Sequence, residues 1–456
     1  MRKTMIAIAF LGACSVTAAN ASSDASVTVD DAQSASSAPR LVNPVVRWNR
    51  TLLAIVRTPN AQPASIHPTR SFAIMHAAIY DAVNAIDRSH TPYLVRLDHV
   101  SRLASQEAAA AAAAHDVLVA LYPALGASLD AELLDSLAQI SHGADQAEGI
   151  LVGQTVAARM LALRQDDGSS ASPIPYVFGS NAGDYQSPPP NVPRQPQFTH
   201  WSHVRPFALP RADRFRPPAP PALASGRYAN ALNEVKALGV ANGTSSSSDQ
   251  ALAGRFWNGP IQNYWNEIAQ AASEKSLLTT VQDARLFALL NFAIADSVIA
   301  FYDAKYMYNL WRPVTAIRAA ADDGNPETLA DPSWLPVVGN TPPDPSYPGA
   351  HAVVSAAALD VLLSVLKRDR VSLTVASEVL PGVTRSFESF SAAADEASLS
   401  RVFAGVHFRF DLTRGSRLGH NVADFVTDRL LVRCDADDER QDDGDDAADR
   451  CGRRQK

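Results

Sequence analysis

The chain has 456 residues, of which 46% are hydrophobic and 19% are charged, and its formal net charge is −7. This length and apolar content are enough to bury a large core, which excludes an intrinsically disordered protein. A protein that binds nucleic acid usually has an excess of basic residues, whereas this chain has a net negative charge. We therefore expect no nucleic acid among its partners.

The N-terminus has the layout of a secretory signal peptide at residues 1–21, with two basic residues, a short apolar run and small residues before Ala21. We therefore predict export to the periplasm or the extracellular space. Cleavage after Ala21 is favoured, and the alternative is lipidation of Cys14, which would leave a lipid anchor there. A Ser-rich linker is predicted at residues 22–39.

Beyond the linker, apolar residues recur at three- and four-residue spacing, which is typical of amphipathic helices. The predicted fold class is all-α, with two four-helix-bundle-like halves at residues 40–165 and 226–433. A Pro-rich loop at residues 166–225 separates them, because its Pro and Gly content disfavours helix. The predicted helices lie at residues 69–86, 103–121, 129–140, 144–163, 226–238, 248–257, 264–272, 278–312, 350–366, 389–404 and 412–432.

The C-terminal segment, residues 434–456, is predicted to be an acidic, disordered tail, since it has almost no apolar residues and carries nine acids against five bases. Cys434 and Cys451 are an even pair in a chain predicted to be exported, so a disulfide is expected, with two unpaired thiols as the alternative. No segment after the signal peptide reaches the ~18 apolar residues that a membrane span needs.

The first charged motif lies in the helix predicted at residues 278–312. Its apolar stripe leads to Lys305, and Arg312 follows seven residues later. Both cations are expected to face inward ~10 Å apart along the axis, a distance that long side chains can close over one anion. Pro313 is expected to end the helix. The alternative is a pair of partly exposed charges bonded to acids.

The second motif is Pro348-Gly349-Ala350-His351, at the start of a predicted helix rich in small residues. The backbone N–H groups of Gly349 and Ala350 at such a helix start are suited to an oxyanion. His351 lies in the first turn and is a candidate acid or base, although a histidine there is more often structural when it stands alone.

The third motif combines Arg401, His407 and Asp411. The planar guanidinium of Arg401 can bond two oxygens of a tetrahedral anion. Asp411 follows His407 by four residues, so its carboxylate can accept the ring N–H and fix the tautomer. An imidazole oriented in this way is a nucleophile or a metal ligand. A surface helix with mixed charge is the alternative.

Together, the patterns Lys-x6-Arg-Pro, Pro-x-x-His and Ser-Arg-x5-His-x3-Asp resemble the three-part signature of the vanadium-dependent haloperoxidase and type 2 phosphatidic-acid phosphatase superfamily. Residues 73–84, 256–257 and 264–266 resemble its longer bacterial haloperoxidase-like branch. The resemblance covers about residues 41–432.

The resemblance implies a vanadate cofactor whose equatorial oxygens are neutralised by Lys305, Arg312 and Arg401. His407 would bind the vanadium axially, as its metal ligand, and Asp411 would orient His407. The partners would be hydrogen peroxide, a halide and a small organic substrate, and a helical surface of this size is compatible with a homo-oligomer.

The same resemblance implies a second activity, an acid phosphatase in which phosphate replaces vanadate and His407 forms a phosphohistidine. His351 would be the general acid or base in both reactions: it would take a proton from peroxide, or protonate the leaving alcohol.

The sequence departs from the family pattern at Gly349, where the family has serine in Pro-Ser-Gly-His. Loss of one hydrogen bond to a bound anion would cost ~1.5–3 kcal/mol. This departure keeps a third interpretation open, a secreted oxyanion-binding protein without catalytic activity.

Overall fold

The computed structural model describes residues 43–188 and 194–434. Within these ranges the chain forms thirteen α-helices, a few short 3₁₀ turns and one two-stranded sheet, which confirms the predicted all-α class. The first nine helices are α1 Pro44–Arg57, α2 Thr69–Asp87, α3 Gln106–Leu121, α4 Gly126–Leu137, α5 Ala144–Arg164, α6 Gly226–Leu238, α7 Ser248–Phe256, α8 Ile261–Ser276 and α9 Thr280–Tyr308. The remaining elements are α10 Pro313–Arg318, α11 Ala350–Leu366, β1 Arg370–Ala376, β2 Thr384–Ser389, α12 Phe390–Phe403 and α13 Arg409–Arg429.

The region around Arg312 differs from the prediction of one helix ending at Pro313. Helix α9 ends at Tyr308, because Asn309 adopts the left-handed conformation and its N–H bonds to the Lys305 carbonyl. Arg312 is the N-cap of α10, and Pro313 is its first residue, where the missing N–H and fixed φ of proline are favourable. The prediction that Lys305 and Arg312 share one helix is therefore wrong.

Besides α10, one helix and one β-hairpin were not predicted. Helix α1 begins at Pro44, and the Asn43 side chain caps it by accepting a hydrogen bond from the Val45 N–H at 3.0 Å. Strands β1 and β2 pair antiparallel, and their inward residues Leu373 and Phe387 lie opposite each other. The hairpin packs against helices α8 and α12.

Helix α9 lies at the centre of the described structure. It contacts α2 on one side and α11 and α13 on another, so the early and late helices share one large hydrophobic core. Its length and hydropathy would suffice to cross a membrane, as would those of the sharply bent pair formed by α3 and residues 123–137. In α9, however, 94% of the apolar window is buried inside the protein, as expected for a core helix.

Helices α11 and α13 approach closely because two glycines of α13 face α11. A Cβ at Gly415 would lie 2.8 Å from the Gly349 carbonyl, and a Cβ at Gly419 would overlap the Val353 carbonyl. This close contact fixes the start of α11, which carries His351 of the second motif, beside the start of α13, which carries Asp411 of the third.

The described parts of the Pro-rich loop contain only two short 3₁₀ turns and no α-helix or strand. The buried Asp296 of α9 anchors the loop by accepting three backbone N–H groups at 2.6–2.7 Å from Phe207, Ala208 and Leu209. The domain boundaries stay a prediction. The signal peptide, the linker and the tail beyond Cys434 lie outside the described residues. Cys434 itself is disulfide-bonded, whereas its predicted partner Cys451 is not among the described residues.

Candidate active site

A tight turn between α12 and α13 brings the third motif inward. Gly405 has a φ of +80°, a conformation that glycine adopts without strain, and a Cβ there would overlap the Gly239 carbonyl. The turn delivers His407 just before α13 begins at Arg409. The spacing of His407 and Asp411 therefore joins a loop residue to a residue in the first turn of a helix.

The His407 ring is held on both sides and is 3% exposed. Its Nδ1 lies 2.9 Å from Asp411 Oδ2, and its Nε2 lies 3.0 Å from an Arg312 terminal nitrogen. A carboxylate only accepts, and a guanidinium only donates, so the proton resides on Nδ1 and the Nε2 lone pair faces Arg312. Burial, followed by the charges of Arg312 and Lys305, lowers the pKa of His407 well below its usual value, so the ring is neutral.

Asp411 is fully buried and accepts three hydrogen bonds on one oxygen. Besides the His407 ring, the Ser346 hydroxyl donates to Oδ2 at 2.6 Å and the Phe408 N–H at 3.0 Å. Burial raises the pKa of this carboxyl to about 6, although the bonds from Ser346 and Phe408 act in the opposite direction. Asp411 thus ties the segment just before the second motif to the third motif, and its bond to His407 Nδ1, the contact that the spacing predicts, fixes the tautomer of the ring.

Lys305 and Arg312 meet despite lying on different elements. Lys305 Nζ donates to Asp344 Oδ1 at 3.3 Å, and an Arg312 terminal nitrogen forms a short ion pair with the same oxygen. Arg312 Nε also donates to the Asp344 carbonyl at 2.8 Å. Burial lowers the pKa of Lys305 to about 8, and the negative charge of Asp344 opposes this shift.

Arg401 and His351 converge on a second point, the Trp257 carbonyl. His351 Nε2 donates to this oxygen at 2.7 Å, and an Arg401 terminal nitrogen donates to it at 3.3 Å. The other terminal nitrogen of Arg401 bonds to Asn258 Oδ1 at 3.1 Å. Burial, with Arg401 second, lowers the pKa of His351 well below its usual value.

Arg401 differs from the other two cations because it has no carboxylate partner in the described part of the chain. It is 2% exposed, and its buried Nε atom has no hydrogen-bond partner. Burial, followed by the charge of Arg312, lowers the pKa of Arg401 to about 9. Buried donors are normally satisfied, so an open guanidinium nitrogen is typical of a site that receives an anion.

The residues present fit a tetrahedral oxyanion on two observations. First, the buried Nε of Arg401 is a hydrogen-bond donor without an acceptor in the described residues. In addition, a single anionic oxygen, Oδ1 of Asp344, already bonds to Lys305 and Arg312 together, which shows that these cations can share one oxygen. The unprotonated Nε2 of His407 lies next to Arg312 in this cluster.

Gly349 is the N-cap of α11, and its N–H donates to the Asp411 carbonyl at 3.1 Å. Of the two predicted backbone donors, this one is therefore engaged within the protein. A Cβ at Gly349 would lie 3.1 Å from Leu412 Cδ2, the end of a flexible side chain. The position thus has room for serine after a small shift of Leu412.

Several polar groups of the site were not predicted. Asp344 is the most important of these groups, because it pairs with Lys305 and Arg312, and it lies shortly before the second motif in the sequence. Ser346 binds Asp411, and the Trp257 carbonyl and the Asn258 amide bind Arg401 and His351. A buried acid flanked by prolines next to an anion motif is the one signal that sequence could have supplied.

Comparison with known proteins finds similarity in the region that carries these motifs. The model of the VCPO second helical-bundle domain matches residues 285–434, a range that contains Lys305, Arg312, His351, Arg401 and His407. The vanadium chloroperoxidase of Curvularia inaequalis is 26% identical over 378 residues, which is 64% of this chain and only 60% of the length of that relative.

Two solved structures extend the comparison to the fold. The first bacterial vanadium-dependent iodoperoxidase superposes with a TM-score of 0.71 at 27% identity, covering 88% of this chain and 99% of that one. A holo-type bacterial vanadium-dependent chloroperoxidase has a TM-score of 0.62 at 16% identity, covering 86% and 94%, and supports the fold alone. In sequence and in fold, the chain is therefore similar to vanadium haloperoxidases.

Proposed function

We propose that the protein is a vanadate-dependent haloperoxidase-like oxidoreductase that uses hydrogen peroxide to oxidise a halide. The observation that carries this proposal is the state of His407, a neutral ring with Nδ1 bound to Asp411 and an unprotonated Nε2 among buried cations. Such a nitrogen is suited to bind the central atom of an oxyanion. The similar chloroperoxidase and iodoperoxidase are vanadium enzymes by name.

Vanadate would be held by His407, Lys305, Arg312 and Arg401, with the backbone at Ala350 as a further donor. When bound, it supplies a Lewis-acidic centre that activates hydrogen peroxide. The three cations would neutralise its negative charge, and their own hydrogen bonds to the protein hold them in place. The net reaction converts halide, hydrogen peroxide and one proton into hypohalous acid and water.

His351 is the residue proposed to move that proton. Because its Nε2 donates to the Trp257 carbonyl, Nδ1 carries the lone pair. The lowered pKa of His351 keeps the ring neutral and able to accept a proton from hydrogen peroxide as the latter binds. The nearby Arg401 favours release of the proton again, since it opposes a second positive charge.

An acid phosphatase is the second candidate, and the same His407 geometry favours it. Nε2 would attack the phosphorus of a phosphate monoester, the bond to the alcohol oxygen would break, and His351, in its protonated form, would donate a proton to that oxygen. Water would then hydrolyse the phosphohistidine. A third candidate, a non-catalytic oxyanion-binding protein, is favoured by Gly349, where the family has serine.

Export to the periplasm or extracellular space remains part of the proposal, as does a small organic molecule that accepts the oxidised halogen. Both rest on sequence and family resemblance rather than on contacts in the described residues.

The experiment that tests the proposal is an assay of the purified protein with hydrogen peroxide and iodide, bromide or chloride, with and without orthovanadate. We expect halide oxidation that requires orthovanadate and that inorganic phosphate suppresses by competition. A parallel assay with a phosphate monoester is the matched control. Phosphate release without any vanadate-stimulated halide oxidation would replace the proposal with the phosphatase, and neither activity would favour the binding protein.

A further inference from the structure

A carboxylate lies inside the cation cluster that the proposed function assigns to an oxyanion. Asp344 is 9% exposed, and its Oδ1 bonds to both Lys305 and Arg312. Its backbone carbonyl accepts a further bond from Arg312 Nε. Asp344 therefore holds two of the three cations with its side chain while its main chain anchors one of them.

The donors of Lys305 are fully used in this arrangement. An ammonium group has three N–H donors, and those of Lys305 go to Asp344 Oδ1 and to the carbonyls of Pro345 and Ser346. An oxyanion oxygen can bond to Lys305 only when one of these acceptors leaves. The two carbonyls belong to the backbone, so the side chain of Asp344 is the acceptor that is free to move.

Arg312 is almost equally occupied. Its Nε donates to the Asp344 carbonyl, one terminal nitrogen donates to the Val406 carbonyl and to His407, and the other donates to Asp344 Oδ1. Of these three cations, only Arg401 has a buried nitrogen without a hydrogen-bond partner in the described part of the chain. The side-chain carboxylate thus occupies the contacts through which Lys305 and Arg312 would hold an oxyanion.

We propose that Asp344 is a specificity-determining residue whose carboxylate competes with the oxyanion for Lys305 and Arg312 and so sets the affinity of the site. The inference rests on the proposed function only in that it concerns the same pocket. Its competition is electrostatic as well as steric, because the negative charge of Asp344 also repels an incoming anion. Asp344 weakens binding of tetrahedral oxyanions of high charge most, since these depend most on the two cations.

The test is a titration of the whole chain with orthovanadate and, separately, with inorganic phosphate, followed by calorimetry at fixed pH and ionic strength. We expect Asp344→Asn to bind orthovanadate about ten- to a hundredfold more tightly than the unaltered protein, the range expected when one charged hydrogen bond no longer competes. A gain in affinity separates competition from a structural role, because damage to the fold would weaken binding.

Asp303→Asn is the matched control. Asp303 lies on the same helix as Lys305 but pairs with Arg216 outside the cluster, with Arg216 Nε 2.6 Å from its carboxylate. Its loss should leave the affinity unchanged. Asp344→Ala is the second variant: without anion we expect a lower melting temperature than in the unaltered protein, and a larger rise on addition of orthovanadate.

The outcomes separate this inference from the proposed function. Equal or weaker binding by both Asp344 variants overturns the inference and leaves the proposed function standing. Tighter binding without halide oxidation by any of the proteins supports the inference and overturns the proposed function. Absence of binding in all of them, at millimolar anion, overturns both.

Discussion

Two buried histidines of the protein, His76 and His407, differ in their partners. His76, fully buried in α2, accepts a hydrogen bond at 2.8 Å from the Asn49 amide and stacks on Phe287 with ring centroids 5.2 Å apart. Asn49 in turn donates to Asn266. His407 lies instead between a carboxylate and a guanidinium.

The comparison shows that burial alone does not make a histidine a candidate for chemistry. Burial lowers the pKa of His76 to about 3 and is also the largest cause of the lowered pKa of His407. Both rings are neutral, but the hydrogen-bond partner of His76 is an uncharged amide. At His407 a carboxylate fixes one nitrogen and Arg312 faces the other, so of the two rings only that of His407 presents a lone pair to a cluster of cations.

The largest expected effect is the loss of that lone pair. His407→Ala should reduce vanadate-dependent halide oxidation on the order of 10³-fold or more, since it removes the nitrogen proposed to anchor the vanadate among the cations. Steady-state kinetics at saturating orthovanadate measure the effect. His76→Gln, the matched change in the amide network, should keep kcat; an equal loss in the two variants would mean that both act through stability.

The orientation of His407 gives the next largest effect. Asp411→Asn should weaken orthovanadate binding about 10- to 100-fold, because an amide no longer fixes the Nδ1–H tautomer as a carboxylate does. Calorimetric titration gives the dissociation constant. Asn266→Ala removes a buried partner of the other network and should lower the free energy of unfolding by about 1–3 kcal/mol without changing that constant. Unaltered affinity in Asp411→Asn would contradict the orienting role.

More of the candidate site than of its surroundings could be predicted from the sequence, because helical geometry determines the spacing between some of its residues. The turn and first helical turn that join His407 to Asp411 span four residues, so their contact is local and readable. Arg312 reaches the cluster for a different reason than predicted: its side chain extends from the N-cap of α10 rather than from the stripe of α9. Arg312 thus lies in the cluster as expected, although the element that carries it was predicted wrongly.

What could not be predicted depends on contacts between distant segments. Asp344 lies 39 residues from Lys305 and 32 from Arg312 in the chain, and no periodic pattern links them. The Trp257 carbonyl is a backbone atom, which sequence cannot distinguish from any other. Helix α1 was readable in principle, since Asn43 and Pro44 form a typical cap and first position.

The amide network gives a pH prediction of its own. The pKa of His76 is about 3 in the folded protein and about 6.5 when unfolded. A depressed histidine pKa contributes stability that is present above pH 6.5 and is lost as the pH falls toward 3, because the unfolded chain takes up the proton first. His76→Gln should therefore remove about 1.4 kcal/mol of acid sensitivity per pH unit in this window.

Denaturant unfolding of both proteins between pH 7 and pH 4 measures this difference. The buried histidines of the active site contribute acid sensitivity equally in both proteins, so the subtraction isolates His76. Parallel curves for the two proteins would show that His76 takes up its proton without unfolding.

The smallest expected effect is that of a serine at Gly349, whose hydroxyl has two possible partners, the bound anion or the backbone of α11. Gly349→Ser should tighten orthovanadate binding about tenfold, the value of one hydrogen bond to a charged group, since the added Cβ meets only the end of Leu412. A serine at this N-cap could instead bond to the free N–H groups of α11, which would raise the melting temperature and leave the affinity unchanged. Gly349→Ala supplies the Cβ without the hydroxyl and corrects for the shift of Leu412. If Gly349→Ser binds orthovanadate about tenfold more tightly than Gly349→Ala, the hydroxyl bonds to the anion. This gain in affinity should add to the gain from Asp344→Asn if the two residues act on different oxygens of the anion.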